Sequence, residues 1–290
     1  MSETHQPGDK KMRVLITGAK GQLGRALQEQ FKHGAVLPAD LPECDVTDRA
    51  CVTQTVTAFK PDLVIHAAAM TNVDGCACDP NAAYRVNALG AQYVALACQQ
   101  VGCAMAYIST NEVFDGAKTE PYLEFDAPNP INTYARSKLA GETIVRDLLV
   151  RFYIVRTAWL YGQGGNHFVR KIIQRADEVG QLDVVTDEVG SPTYADDLAH
   201  AIHQLVQTDV YGVYHFVNEG VASRFDFACE ILRRAGRGHV RVEPIKLADY
   251  PRPSTPPPYT PLRNFCGAAQ GISLRPWQDA LAEYIASNDV

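Results

Sequence analysis

Three observations in the chain predict an α/β protein, a doubly wound parallel sheet of Rossmann type with a smaller C-terminal substrate-binding lobe. A short apolar run, Met12 to Thr17, ends directly in a glycine-rich turn, and helical spacing of Leu23, Leu27 and Phe31 follows it. Strand-like apolar runs then alternate with helix-like stretches as far as Thr157. Beyond Tyr161 the alternation loosens, which sets off the second lobe. The expected organisation is a disordered extension over 1–11, a dinucleotide-binding domain over 12–157 completed by part of 193–218, and a substrate-binding lobe over 158–290.

The first strand and helix frame Gly18-x-x-Gly21-x-x-Gly24. The first glycines allow a tight turn and close backbone approach, and the third lets helix and sheet pack closely. The helix start then offers free N–H groups and a positive dipole end to a pyrophosphate. Ala35 to Leu37 reads as a second strand. It leads to Asp40, an acidic residue about twenty positions past the glycines, where a ribose hydroxyl would be held. Leu41 and Pro42 follow Asp40 instead of an arginine, so NADH is preferred over NADPH, with Arg13 and Lys20 as the cations that would weaken that preference.

Asp48 or Thr47 caps a helix over Arg49 to Phe59. Pro61 to His66 is a third strand running into Ala67-Ala68-Ala69, small residues against which a flat cofactor would lie. His66 reads as structural. Asn81 to Val101 reads as one helix, in which Asn87 is either a buried support for the site or an exposed polar residue. A fourth strand, Ala104 to Ser109, aims Thr110 at the same sheet edge. The proline loop Asp126 to Asn132 then delivers the chain to a helix running to about Val150. On that helix Tyr134 and Lys138 are four apart and project from one face. An ammonium beside a phenol favours the phenolate, which makes Tyr134 a proton donor and acceptor.

Arg151 to Thr157 is a further strand, with Trp159 just beyond it. In the second lobe, Asn166 to Val179, Tyr194 to Gln207, Arg224 to Ala235 and Trp277 to Ile285 read as helices, Leu182 to Val185 and Tyr211 to Val217 as strands, and Pro251 to Pro261 as an extended loop.

Bulk properties exclude several classes. At 290 residues, 46% hydrophobic and 21% charged, the chain has an ordinary globular composition. A net charge of -6 argues against nucleic-acid or anionic-membrane binding. No apolar run is long enough to span a bilayer, and Met1 to Lys11 lacks a signal-peptide core. Of eight cysteines only Cys76 and Cys78 stand close together, with no second pair or histidine at zinc-like spacing. Reduced thiols in a cytoplasmic protein and no metal site are the expectation.

The phrases GAKGQLG, HAAAMTNVD, STNEVFDG, PNPINTYARSKLAGE, RTAWLYG, DEVGSPTYADDLA and LRPWQDAL, in this order, resemble the dTDP-4-dehydrorhamnose reductase family of extended short-chain dehydrogenases/reductases. The resemblance implies NAD(P)H-dependent reduction of a nucleotide-sugar 4-keto group, from dTDP-4-dehydro-L-rhamnose to dTDP-L-rhamnose. It implies Thr110, Tyr134 and Lys138 as catalytic residues, Tyr134 protonating the C4 oxygen and Lys138 lowering the Tyr134 pKa and holding the nicotinamide ribose. Gly18, Gly21, Gln22, Leu23, Gly24, Asp40, Asp45, Ala67, Ala68 and Ala69 form the rest of the expected cofactor set. Thr71, Val73, Asn111, Glu112 and Trp159 form the expected substrate set.

Two departures stand out. The family commonly has Asp-Tyr where this chain has Asn111-Glu112. It also usually carries an arginine in the proline-rich segment, for which Arg252 or Arg263 is the candidate substitute here. A related nucleotide 4-keto sugar as substrate, or a binding role like that of the regulatory subunit of methionine adenosyltransferase, are the competing readings. A homodimer is a further possibility.

Overall fold

The structure, a computed structural model, describes residues 11–287. The extension expected over 1–11 therefore lies, apart from Lys11, outside the described residues, as do 288–290.

The first half builds β1 (Arg13–Thr17), α1 (Gln22–Gln30), β2 (Ala35–Ala39), α2 (Arg49–Phe59) and β3 (Leu63–His66). Two short helices follow, α3 (Val73–Cys78) and α4 (Pro80–Tyr84), then a π-helical turn over Arg85–Leu89 and α5 (Gly90–Val101). The chain continues through β4 (Ala104–Thr110), α6 (Thr133–Leu148) and β5 (Phe152–Thr157). Asp48 caps α2, its Oδ1 accepting from Ala50 N at 2.8 Å. The single helix expected over Asn81 to Val101 is interrupted by the π turn, which rotates Asn87 inward.

These strands form a six-stranded parallel sheet in the order β10-β5-β4-β3-β1-β2, in which β10 (Gly212–His215) comes from far along the chain. The order reverses between β1 and β3, because the chain moves outward to β2 and then crosses back. A crevice opens at the strand carboxyl ends at such a reversal. Both faces are covered, so β4 is buried along its whole length, and alternate residues serve opposite layers. Val14, Ile16 and Ile65 pack with Leu27 and Leu198 on one side; Leu15, Val64 and Met105 pack with Val56, Val94 and Val145 on the other.

A buried ion pair ties the sheet to α6. Arg156 on β5 donates Nη2 to Glu142 Oε2 at 2.7 Å and Nε to Oε1 at 2.9 Å, and the Ser109 hydroxyl donates to the same carboxylate. This bidentate geometry, with both side chains almost wholly buried, satisfies charges that would be costly alone.

The remainder comprises β6 (Leu160–Tyr161), α7 (Phe168–Val179), β7 (Gln181–Val185), β8 (Val189–Gly190), β9 (Thr193–Tyr194) and α8 (Ala195–Leu205). After β10 come β11 (Ala222–Ser223), α9 (Arg224–Arg234), β12 (Arg241–Ile245), α10 (Phe265–Ala269) and α11 (Trp277–Ser287). Here α7, α9 and α11 share an aromatic core of Tyr161, Tyr194, Phe227, Trp277 and Tyr284. The proline-rich segment is extended and strapped in place: Val189 N donates to Pro258 O at 2.8 Å, and Thr260 N to Val189 O at 2.9 Å.

Candidate active site

The crevice at the β1/β3 reversal is a cleft of about 840 Å³. Every candidate cofactor, catalytic and substrate residue read from the sequence lines it. One wall is the glycine turn. Gly18 has φ +67°, and a Cβ there would lie 2.6 Å from Ala68 N; a Cβ on Gly24 would lie 2.2 Å from Gly18 O. The turn therefore packs directly on the 67–69 run and on the start of α1, which only hydrogen permits. Gly21 is the N-cap of α1 and supplies no side-chain cap, which leaves the first N–H groups of the helix to a ligand. The buried Gln22 Oε1 beside them has no hydrogen-bond partner among the described residues. A cradle without Cβ atoms and an unpartnered buried acceptor fit a dinucleotide pyrophosphate and its sugar.

At the end of β2, Asp40 Oδ2 accepts from Lys20 N at 2.7 Å and Oδ1 from Leu41 N at 2.8 Å, which fixes the carboxylate at the cleft rim. The Lys20 ammonium lies close by, donating to Leu41 O and, at 3.1 Å, to Glu43.

The centre of the cleft joins β4 to α6. Thr110 ends β4, and Tyr134 stands in the first turn of α6, whose N-cap Asn132 accepts from Ala135 N at 2.9 Å. Burial raises the Tyr134 pKa, Glu112 adds to the rise, and a hydrogen bond with Thr110 opposes it. Lys138 lies one turn further along the same helix. Its ammonium donates to Ile108 O at 2.6 Å and sits 4.1 Å above the Tyr107 ring, and burial brings its pKa down to about 7.

Behind these groups lies a buried polar frame. Asn87 accepts from Met70 N at 2.8 Å and donates to Met70 O at 3.1 Å and Ser137 Oγ at 2.9 Å, so it is a support joining the 67–71 run to α6. His66 Nδ1 lies 2.7 Å from Thr17 Oγ1, and burial first, then Lys138, lowers its pKa to about 3. It is a neutral framework residue.

The other side of the cleft carries Asn111, Glu112, Trp159 and residues that sequence reasoning missed. Asn111 Nδ2 donates to Thr260 Oγ1 at 2.7 Å, and Asn132 Nδ2 donates to Glu112 Oε2 at 2.7 Å and Thr255 O at 3.3 Å. Burial pushes the Glu112 pKa up to about 7, with Glu188 adding to the rise and Asn132, Arg224 and Arg252 opposing it. Trp159 has φ +45° and packs on Gly190, where a Cβ would lie 2.6 Å from the indole. The Arg224 guanidinium sits 3.7 Å above the Trp159 ring. Neither candidate for the basic residue of the proline segment lines the cleft; Arg252 pairs with Asp74 at 3.0 Å, and Arg263 N donates to Tyr122 O at 2.9 Å. Arg224, His167 and Lys20 do line it. The sequence around Arg224 marks only a helix start, a Ser223/Asp226 capping box, and nothing local signals the cleft.

Among the described residues no group of three or more His, Cys, Asp or Glu is placed to hold a metal, and no helix is long and apolar enough to cross a membrane.

Residues 12–290 match the family described as the RmlD substrate binding domain. A dTDP-4-dehydrorhamnose reductase of Mycolicibacterium smegmatis is 41% identical, covering 95% of this chain and 85% of that protein. A dTDP-4-keto-6-deoxy-D-glucose reductase of Streptomyces niveus is 36% identical, covering 93% and 96%. The crystal structure of a dTDP-4-dehydrorhamnose reductase of Bacillus anthracis in complex with NADP superposes with a TM-score of 0.93 at 40% identity, covering 96% of this chain and all of that one.

Proposed function

The chain belongs to the RmlD family of dTDP-4-dehydrorhamnose reductases, and we propose that it reduces the C4 ketone of dTDP-4-dehydro-L-rhamnose to give dTDP-L-rhamnose. It is an NAD(P)H-dependent oxidoreductase acting on a nucleotide-activated 6-deoxysugar. One observation carries the residue roles: Thr110, Tyr134 and Lys138 line the same cleft as the glycine turn.

The bound nicotinamide supplies the hydride. Tyr134 gives its phenolic proton to the C4 oxygen, and Thr110 donates a hydrogen bond that orients that oxygen and stabilises developing alkoxide charge. Lys138 holds the nicotinamide ribose. The Gln22 and Leu23 N–H groups, with Gly18, Gly21 and Gly24, cradle the pyrophosphate, and Ala67, Ala68 and Ala69 give the flat surface for the cofactor. Asp40, with Asp45 nearby, takes the adenosine ribose, which supports NADH as the preferred donor; Lys20 is the cation that admits NADPH. Thr71, Val73, Asn111, Glu112 and Trp159 shape the sugar pocket.

A second reading, the same chemistry on a related nucleotide 4-keto sugar, draws on Asn111-Glu112 and on the Streptomyces niveus relative. Assaying dTDP-4-dehydro-L-rhamnose beside dTDP-4-keto-6-deoxy-D-glucose decides between them. The first reading requires the rhamnose precursor to have the higher kcat/KM, and no turnover of it removes that reading.

A further inference from the structure

We propose that Arg224 binds the diphosphate of the nucleotide sugar, with the Trp159 ring as its platform and Glu188 as its resting counter-ion. The inference rests on the nucleotide-sugar reading above.

A nucleotide sugar brings a diphosphate into the cleft, and a diphosphate needs cationic or N–H donors. Among the described residues, the lysines and arginines lining the cleft are Lys20, Lys138 and Arg224. Lys20 is at the Asp40 rim, engaged with Leu41 O and Glu43. Lys138 is buried beneath the reaction centre against Ile108 O. His167 also lines the cleft, but burial lowers its pKa to about 4, so it is neutral. Arg252 is outside the lining and is paired with Asp74 at 3.0 Å. That leaves Arg224 as the cation on the sugar side.

Its setting is built for an anion. The guanidinium lies 3.7 Å above Trp159 and 5.0 Å from the Phe168 ring, which fixes its plane. Glu188 Oε1 takes Nε at 2.9 Å and one terminal nitrogen at 2.8 Å. The other terminal nitrogen has no acceptor among the described residues. A planar fork held in this way matches phosphate oxygens, which a flexible ammonium does not. The platform is itself strained into place: Trp159 adopts φ +45°, and only glycine at 190 leaves room for its ring. Strain of this kind collects where a side chain must be held for a ligand.

The test is calorimetric titration of dTDP into the enzyme with its cofactor site saturated by NADPH, so that the cofactor pyrophosphate cannot account for binding. Arg224→Gln is expected to weaken dTDP by about tenfold or more, the worth of a charge-assisted hydrogen-bond pair, while NADPH affinity stays within about twofold. Glu188→Gln keeps the arginine and removes its competitor, and should tighten dTDP by about threefold. Equal dTDP affinity in Arg224→Gln and wild type, weaker binding in Glu188→Gln, or no dTDP binding by wild type each overturn the proposal. Wild type that binds dTDP through Arg224 yet reduces no 4-keto sugar removes the functional reading and leaves the diphosphate site standing.

Discussion

The Asn132 amide donates to the Glu112 carboxylate at 2.7 Å while its carbonyl caps the helix that carries Tyr134. Glu112 is thereby held where its charge reaches the Tyr134 phenol. Its pKa, pushed up to about 7, means that it ionises near neutral pH. Ionised Glu112 raises the Tyr134 pKa further and places negative charge where the alkoxide develops. Reduction should therefore slow as pH rises through about 7, by about tenfold at most, one pKa unit of electrostatic coupling. Lys138 titrates in the same window, so Glu112→Gln isolates one share. The expected result is a smaller inflection in the kcat/KM profile of that variant, and an inflection of unchanged size would rule out the coupling.

Tyr134→Phe removes the proposed proton donor and keeps the ring. Reduction, followed through nicotinamide absorbance, should fall by about a hundredfold or more, with cofactor affinity nearly intact. Thr110→Val, which removes one hydrogen bond to the same oxygen, should cost about tenfold to a hundredfold. Near wild-type turnover in Tyr134→Phe would end the assignment.

At the cleft rim, Asp40 and Lys20 pull cofactor choice in opposite directions. Asp40→Ser should shift the ratio of kcat/KM values toward NADPH by about tenfold, since a carboxylate no longer faces a 2′-phosphate. Lys20→Ala should shift it toward NADH. Parallel changes for both cofactors in both variants would show that neither residue reads the ribose.

Acid should unfold the protein through buried histidines. Burial lowers His66 and His215 to about 3 and His167 to about 4, all below the ordinary value. Between those values and about 6.5 the unfolded chain binds more protons than the native one, so stability is lost as pH falls through this window. Each of the two lowest contributes a loss of about 3 kcal/mol by pH 4, at 1.36 kcal/mol per unit. Glu112, raised to about 7, acts in the opposite sense and offsets part of it. Urea titrations at pH 7 and pH 5 should show a smaller stability difference for His215→Gln than for wild type. An equal difference would remove His215 from the account.

What was legible in the sequence is what is local. Gly18, Gly21 and Gly24 follow a strand directly, and Tyr134 and Lys138 share one helix face, so spacing alone marks them. Thr110 was legible because a strand end has a known direction. The Arg224–Trp159 stack and the Glu112–Asn132 bond were not, because each joins residues from separate elements that only the assembled fold brings together. Four residues of spacing fix a shared face for Lys138, but burial beside Tyr107 decides where its ammonium points. The π turn at Arg85–Leu89 is not legible in the sequence, because its apolar pattern also suits an α-helix.

The Arg156–Glu142 pair has a consequence for how such an enzyme diversifies. Because β5 and α6 are locked through opposite charges in an apolar interior, the helix carrying Tyr134 cannot swivel without stranding a guanidinium. The strap over 251–262 reaches the same centre through a few hydrogen bonds, from Asn111 to Thr260 and from Asn132 to Thr255. Divergence toward a new sugar therefore has its cheapest route in the strap, where substitutions reshape the pocket wall while the proton-transfer geometry is inherited intact.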